Sequence, residues 1–513
     1  MEKKKRGEGR VNLENNFIII MGMCFLTAVV FLMLCSRSSF LYSYNNWDDA
    51  NSYFTMGKFM MNGGIIYRDL YDQKGPYLYL LYGIAYLISN RSFLGVFILE
   101  ILAITVFLYF GYKIFRLYCT PKMSLILIPV LAACTLSSLS FYWGGAAEEF
   151  CLPLMMSSLF MSLSYWKRNY PKEPTDKMIL INGVFAGIIM QVKYTLLGFY
   201  FAWMAMIVLM MLVQKKWKNA LKSSFIFLSG MFITMIPWLV YFGIHNALDD
   251  WYQCYIYNNI FFYSDLQENS SGLGMKLYDL AKILYNLILD NFSYFIFIII
   301  GCYYMVFSRR NNWYEKVNVI ALFGLCFLGI YIGGANIFYY SIPLMIFSVI
   351  GLAAIGRGIL RLEQKWEISL KGKKTFGLVA ILMFFLCLYT AEMKTMNREY
   401  RELKKEEHFL YQFNEIVEQE ENPTLLNVNM LDAGLYTVTG IVPTCKYFQT
   451  NGIALKEMEK EQRQYIREGR TQFVISRFIY PEGIEKKYDL IVEAKFPTDG
   501  KNETSYYLFK RKE

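Results

Sequence analysis

Long apolar runs recur along this chain from residue 17 to residue 391, and each is bounded by short polar or basic segments. In a helix, a run of about 20 apolar residues matches the hydrocarbon thickness of a bilayer. A water-soluble fold has no use for so many. Composition agrees: 55% of the 513 residues are hydrophobic and 18% aromatic, with mean hydropathy +0.27, against the roughly 45–50% apolar usual in soluble domains. The expectation is a mainly α, polytopic helical membrane protein. The formal net charge of +10 does not point to nucleic acid, because the cations sit mostly in short loops between apolar runs.

The first run, 17–35, follows a basic segment, MEKKKRGEGR. No small-residue cleavage site follows it, so it reads as a retained span with the N-terminus in the cytoplasm. Residues 77–90 are apolar but short. Read as an interfacial helix, they let the charges of every later loop sort by side. The spans then fall at 92–115, 123–142, 150–165, 178–192, 195–213, 223–243, 292–308, 317–332, 337–356 and 376–391, about eleven in all. Nearly all loop lysines and arginines lie on the cytoplasmic side. A long outer loop, about 244–291, carries Asp249, Asp250, Asp265 and Glu268. The domain reading is a cytoplasmic basic N-terminus (1–16), a transmembrane domain (17–391, with a first outer loop at 36–91) and an extracytoplasmic α/β domain (392–513). In the last of these, short β-rich runs such as TLLNVNM, QFVISRF, YDLIVEA and SYYLFKR alternate with helical stretches. DAGLYTVTG lacks the spacing of a phosphate-binding loop.

The ten cysteines show no metal-type spacing and read mostly as small core hydrophobes, and two histidines, His245 and His408, leave no histidine-based metal site in view. The chemistry-bearing stretch is instead 47–80, WDDANSYFTMGKFMMNGGIIYRDLYDQKGPYLYL. A loop this polar cannot lie in hydrocarbon, where its backbone groups would go unsatisfied, so it belongs at a membrane surface. On the expected topology, Asp48, Asp49, Asp69, Asp72 and Lys74 share one face with Glu148, Glu149 and Lys193. Each has a plain reading. Asp48 and Asp49 suit a helix N-terminus, as do Glu148 and Glu149. Asp69 and Asp72 suit turns, and Lys74 and Lys193 suit interfacial lysines. Together they suit transfer from a phosphate-activated donor: a carboxylate takes the acceptor proton, and cations offset charge on the departing phosphate. Oxygen ligands would also suit a divalent cation, Mg²⁺, Mn²⁺ or Ca²⁺, although no cofactor is assigned.

That stretch resembles the first outer loop of the GT-C glycosyltransferases, in the family 39 branch that includes protein O-mannosyltransferases and the lipid A aminoarabinose transferase. The family's acidic pair appears as Asp48 and Asp49, its tyrosine as Tyr53, its glycine–tyrosine–aspartate segment as Gly64, Tyr67 and Asp69, and its lysine–proline segment as Lys74, Gly75 and Pro76. Two departures stand out: Asp49 replaces the usual glutamate and Gly75 the first proline. Glu148 or Glu149 resembles a later acidic position, and Phe338, Tyr339 and Tyr340 before Pro343 resemble a tyrosine-rich motif.

The resemblance implies inverting sugar transfer from a polyprenyl-phosphate donor to a cell-envelope acceptor (glycan, lipid or protein) on the outer face of a bacterial plasma membrane. Asp48 and Asp49 would be catalytic, with Asp48 as the base or as the group that orients the acceptor, and Lys74 and Lys193 would bind the donor phosphate. Glu148, Glu149, Tyr339 and Tyr340 would form an acceptor or metal site. A transporter or flippase of a lipid-linked saccharide is the alternative, although no internal repeat supports it.

Overall fold

The computed structural model describes residues 16–262, 272–309, 311–365, 373–450, 453, 455–497 and 503–513. The basic segment 1–10, Asp265, Glu268 and the sequon-like Asn269, Ser270 and Ser271 lie outside the described residues. The helices in chain order are α1 (Phe17–Cys35), α2 (Asp48–Met61), α3 (Pro76–Ile88), α4 (Leu94–Tyr118), α5 (Pro121–Leu136), α6 (Ala147–Ser164), α7 (Asp176–Met190), α8 (Leu197–Val213) and α9 (Trp217–Ile244). They continue with α10 (Leu248–Trp251), α11 (Leu273–Asp290), α12 (Phe292–Phe307), α13 (Trp313–Tyr331), α14 (Ser348–Lys365) and α15 (Lys373–Lys394).

Among the described residues, seven helical stretches are long and apolar enough to cross a bilayer. The pair α11 and α12, bent by 115° at their junction, raises the number to eight if it forms one span. This corrects the expectation of about eleven. The runs expected at 123–142, 150–165 and 178–192 form α5, α6 and α7, of 16, 18 and 15 residues. At 1.5 Å per residue the two shorter ones are roughly 24 Å long or less, under the roughly 30 Å of a hydrocarbon core. The third, α6, opens on two glutamates and carries four serines, so its apolarity is too low. All three are packed inside the bundle and run between its two ends: α6 begins beside Lys193 and is followed by Arg168 at the end that carries Lys113. The α3 helix has 13 residues, too few to count among the spans.

The stretch 47–80 folds as α2, a turn and α3 laid together. Their contact is made at glycine. A Cβ on Gly57 would come 2.4 Å from the backbone nitrogen of Gly83. Downstream, a Cβ on Gly75 would come 1.9 Å from the carbonyl oxygen of Gln191. No proline or other side chain fits there, which is the physical reason for one departure from the family pattern.

Beyond α15 comes α16 (Phe409–Val417), then a four-stranded sheet of β1 (Leu425–Val428), β2 (Phe473–Arg477), β3 (Tyr488–Pro497) and β4 (Glu503–Arg511), in the order β1-β2-β4-β3. The β1–β2 pair is parallel and the other two are antiparallel. Between β1 and β2 lie α17 (Leu435–Thr439) and the strongly amphipathic α18 (Lys456–Glu468). The strands fall in the four β-rich runs.

This C-terminal unit shares an apolar core with the rest of the chain and also grips α2 through a row of polar groups. Asn51, Ser52, Thr55 and Lys58 lie along one side of α2, and all are buried. Asn51 accepts from Thr437 at 3.2 Å, Ser52 bonds Gln449 at 2.6 Å, and Thr55 donates to Asp432 at 2.6 Å. Lys58 donates to the carbonyls of Tyr436 and Ile441. Burial pulls its ammonium down to about 7, with Asp432 opposing that shift.

Overpacking a backbone-to-backbone contact costs typically about 1–3 kcal/mol. Gly57→Ala should therefore lower the thermal unfolding temperature clearly. Gly22→Ala in α1, where a Cβ would meet nothing within 4 Å, should not. Equal melting curves for the two variants would show that the α2–α3 contact is not tight.

Candidate active site

The first turn of α2 is the centre of the site. Trp47 is its N-cap residue but makes no side-chain cap bond, so Asp48 and Asp49 are the acids of an uncapped first turn. The two carboxylates part company. Asp49 Oδ2 accepts from the Tyr339 hydroxyl at 2.6 Å. Asp48 Oδ2 accepts from Arg477 Nη1 at 2.9 Å, a contact that crosses from the first loop to the end of β2. Burial pushes the Asp48 carboxyl up to about 6, and the Arg477 charge offsets only part of that rise. Trp47 stacks on Trp143 at 5.1 Å between ring centroids and meets Tyr339 edge-on at 4.9 Å. These rings fix the approach of the 331–340 segment to α2.

The adjacent glutamates also point apart. Gly144 and Gly145 both adopt φ +79°, a region that L side chains rarely enter. The turn they make brings the chain into α6. Glu148 pairs with Lys193 at 2.8 Å, and both side chains are nearly inaccessible. Lys193 Nζ also lies 3.9 Å from the centroid of the Tyr340 ring. Glu149 instead turns back to accept from the Gly145 N–H at 2.9 Å, next to Glu100. Glu149 is thus held in the turn, while Glu148 joins the lysine.

Lys74 reaches the same place from another direction. Its backbone is fixed by two tyrosines: Tyr67 donates to the Lys74 carbonyl at 2.6 Å, and the Lys74 N–H donates to Tyr79 Oη at 2.8 Å. Tyr79 donates in turn to Asp72 Oδ2 at 2.8 Å. Asp69 closes the preceding turn by accepting from Ile65 N at 3.1 Å and pairing with Arg68. A cavity of about 410 Å³ is lined by Lys74, Lys193 and Tyr340, with Gln73, Tyr255 and Asn259 beside them.

The structure therefore brings Asp49, Tyr339, Tyr340, Lys193, Glu148 and Lys74 into one connected group. It holds Asp48 at the edge of that group through Arg477 and directs Glu149 away from it. The carboxylates do not converge on one point. Among the described residues no group of three or more histidine, cysteine, aspartate or glutamate side chains is placed to hold a metal ion. A tyrosine, an arginine, a lysine or a backbone N–H meets each of Asp49, Asp48, Glu148 and Glu149. Arg477 was not legible beforehand. It sits in an ordinary β-run, QFVISRF, 429 residues from its partner.

The chain has the GT-C fold. A solved structure of ArnT from Cupriavidus metallidurans bound to undecaprenyl phosphate superposes with a TM-score of 0.61, covering 96% of this chain and 97% of that one at 11% identity. The apo state of the same protein gives 0.57 at 10% identity with the same coverage. At such identities the likeness is one of fold. No protein-family model matches the chain, and no curated protein matches it.

A carboxyl that holds its proton more tightly in the fold than in the unfolded chain favours folding at acid pH, and that contribution is lost as pH rises through its folded value. Asp48 should thus make stability fall between pH 3.8 and about 6. Asp48→Asn should flatten that stretch of a thermal-unfolding series, and Arg477→Gln should carry the fall to higher pH. An identical slope in all three proteins would remove Asp48 as its source.

Proposed function

We propose that this protein is a membrane glycosyltransferase that moves a sugar from a polyprenyl-phosphate donor to a hydroxyl of a cell-envelope acceptor. The observation that carries the reading is the shared cavity of Lys74, Lys193 and Tyr340, beside which Tyr339, the residue before Tyr340, donates to Asp49. Two cations from distant parts of the chain converge where an anionic leaving group would need them. The GT-C fold supports the reading, since the solved ArnT structure holds undecaprenyl phosphate. The reaction takes place at the end of the bundle that carries the C-terminal unit. The lysines and arginines at the other end, among them Lys113, Arg116, Lys122, Lys215 and Lys216, support a cytoplasmic N-terminus and an outward-facing site.

In this reading Asp49 is the base. The acceptor oxygen attacks the anomeric carbon, and its proton passes to the Asp49 carboxylate. The bond from the anomeric carbon to the phosphate oxygen breaks, and its electron pair leaves with the polyprenyl phosphate. A single displacement inverts the anomeric configuration. Lys74 and Lys193 offset the charge that grows on the departing phosphate. The buried Glu148 holds Lys193 in place, and Tyr339 orients Asp49. Asp48 is a positioning residue, tied by Arg477 to the C-terminal unit. No step passes through a metal.

The experiment is turnover in reconstituted vesicles, read as release of polyprenyl phosphate from a panel of polyprenyl-phosphate sugars in the presence of envelope lipids and glycans. General-base catalysis contributes typically about 10²–10⁴-fold, so Asp49→Asn should lose about 100-fold or more in kcat while remaining folded. Lys74→Ala should weaken donor use by a similar order. Full turnover in both folded variants would end this assignment of the site. Donor movement across the bilayer without polyprenyl phosphate release would identify a transporter instead.

A further inference from the structure

A second cavity, of about 370 Å³, lies at the other end of the bundle. It is lined by Phe17, Ile20, Tyr109, Tyr112, Lys113, Arg116, Phe160 and Arg168, with no carboxylate among them. Phe17 is the first residue of α1, Lys113 and Arg116 lie in the last two turns of α4, and Arg168 follows the end of α6. The cavity therefore sits where two membrane-length helices leave the hydrocarbon.

Among the described residues that line it, no acid balances its charge. Among the described residues, Lys113, Arg116 and Arg168 form no ion pair. Lys113 Nζ lies 5.5 Å from the Phe160 ring centroid, and Arg116 makes a 3.3 Å bond to the Cys119 carbonyl. The neighbouring Lys167 shows the contrast. It turns away to lie 4.0 Å from the Tyr118 ring, close to Glu315, while Arg168 faces the cavity. Charge asymmetry between membrane faces accounts for cations at this end. It does not account for three of them from two chain segments gathering around one hollow whose described lining holds no acid.

The remaining walls are aromatic or aliphatic, from Phe17, Ile20, Tyr109, Tyr112 and Phe160. Phe17 packs edge-on against Tyr109 at 5.5 Å, and Phe17 and Ile18 are largely exposed. A ligand with an anionic head and an acyl body matches both halves. Basic pockets between transmembrane helices on the cytoplasmic side are the chemistry that holds such heads. We propose that this cavity binds the phosphate headgroup of an anionic phospholipid in the leaflet opposite the candidate active site.

The test is native mass spectrometry of the full chain, delipidated and titrated with dioleoyl phosphatidylglycerol or dioleoyl phosphatidylcholine. Wild type should retain phosphatidylglycerol more than about tenfold more tightly, since each basic residue near a lipid surface contributes roughly fivefold. Combined Lys113→Gln, Arg116→Gln and Arg168→Gln should abolish that preference. Lys215→Gln with Lys218→Gln, exposed cations at the same end but outside the cavity, should keep it. Arg168→Gln alone, at an exposed position, should lower the preference roughly fivefold and serves if the triple variant fails to fold. A preference kept by the variants, or lost equally by the control pair, would overturn the proposal. Release of the lipid by inorganic phosphate would assign the site to free phosphate and also overturn it.

Discussion

The buried polar side of α2 is the constraint on which the rest depends. Burying an amide, two hydroxyls and an ammonium is unfavourable unless each finds a partner. Asn51 and Ser52 find some of theirs nearby, in Tyr44 and the carbonyls of Asn45, Trp47 and Asp48, but each of the four side chains also takes a partner from the C-terminal unit: Thr437, Gln449, Asp432 and the carbonyls of Tyr436 and Ile441. Taking away one member leaves the other buried and unpaired, at a cost larger than the bond itself contributes. The unit is thus not a passenger on the last helix. It completes α2, and α2 carries the acidic pair. Arg477 extends the same logic to the site itself, because it meets Asp48 at the point where the helix begins.

The electrostatics of the site follow from low solvent access. A carboxylate in such surroundings needs a counter-charge or strong donors. The protein assigns one to each acid: Lys193 to Glu148, Tyr339 to Asp49, Arg477 to Asp48 and the Gly145 N–H to Glu149. Adjacent acids in the sequence therefore end in different roles. A charged, hydrogen-bonded pair such as Glu148 and Lys193 holds its lysine in one geometry, and that geometry is what lets Lys193 and Lys74 face one cavity.

Two glycines show how tightly the backbone is packed around these groups. Gly57 lets α2 and α3 touch backbone to backbone, and Gly75 lets the segment after Lys74 press against Gln191. The second contact joins the turn that carries Lys74 to the turn that carries Lys193. The two cations are thus tied through main chain as well as through the cavity they share.

Local sequence was sufficient for much of this. Apolar run length gave the membrane class, β-rich runs gave the strands of the C-terminal sheet, and the punctuated stretch 47–80 gave the surface loop with its acidic pair and Lys74. These are properties of neighbouring residues, decided by periodicity and by the cost of unsatisfied backbone in hydrocarbon. Local pattern overcounted spans, because an apolar run of 16 residues reads much like a full span although its helix is too short to bridge the hydrocarbon by itself. It could not pair Asp48 with Arg477, Thr55 with Asp432 or Glu148 with Lys193, nor send Glu148 and Glu149 in opposite directions. Those outcomes belong to tertiary structure. A side chain's partner is decided by which distant segment excludes water from it, and one-dimensional order carries no record of that.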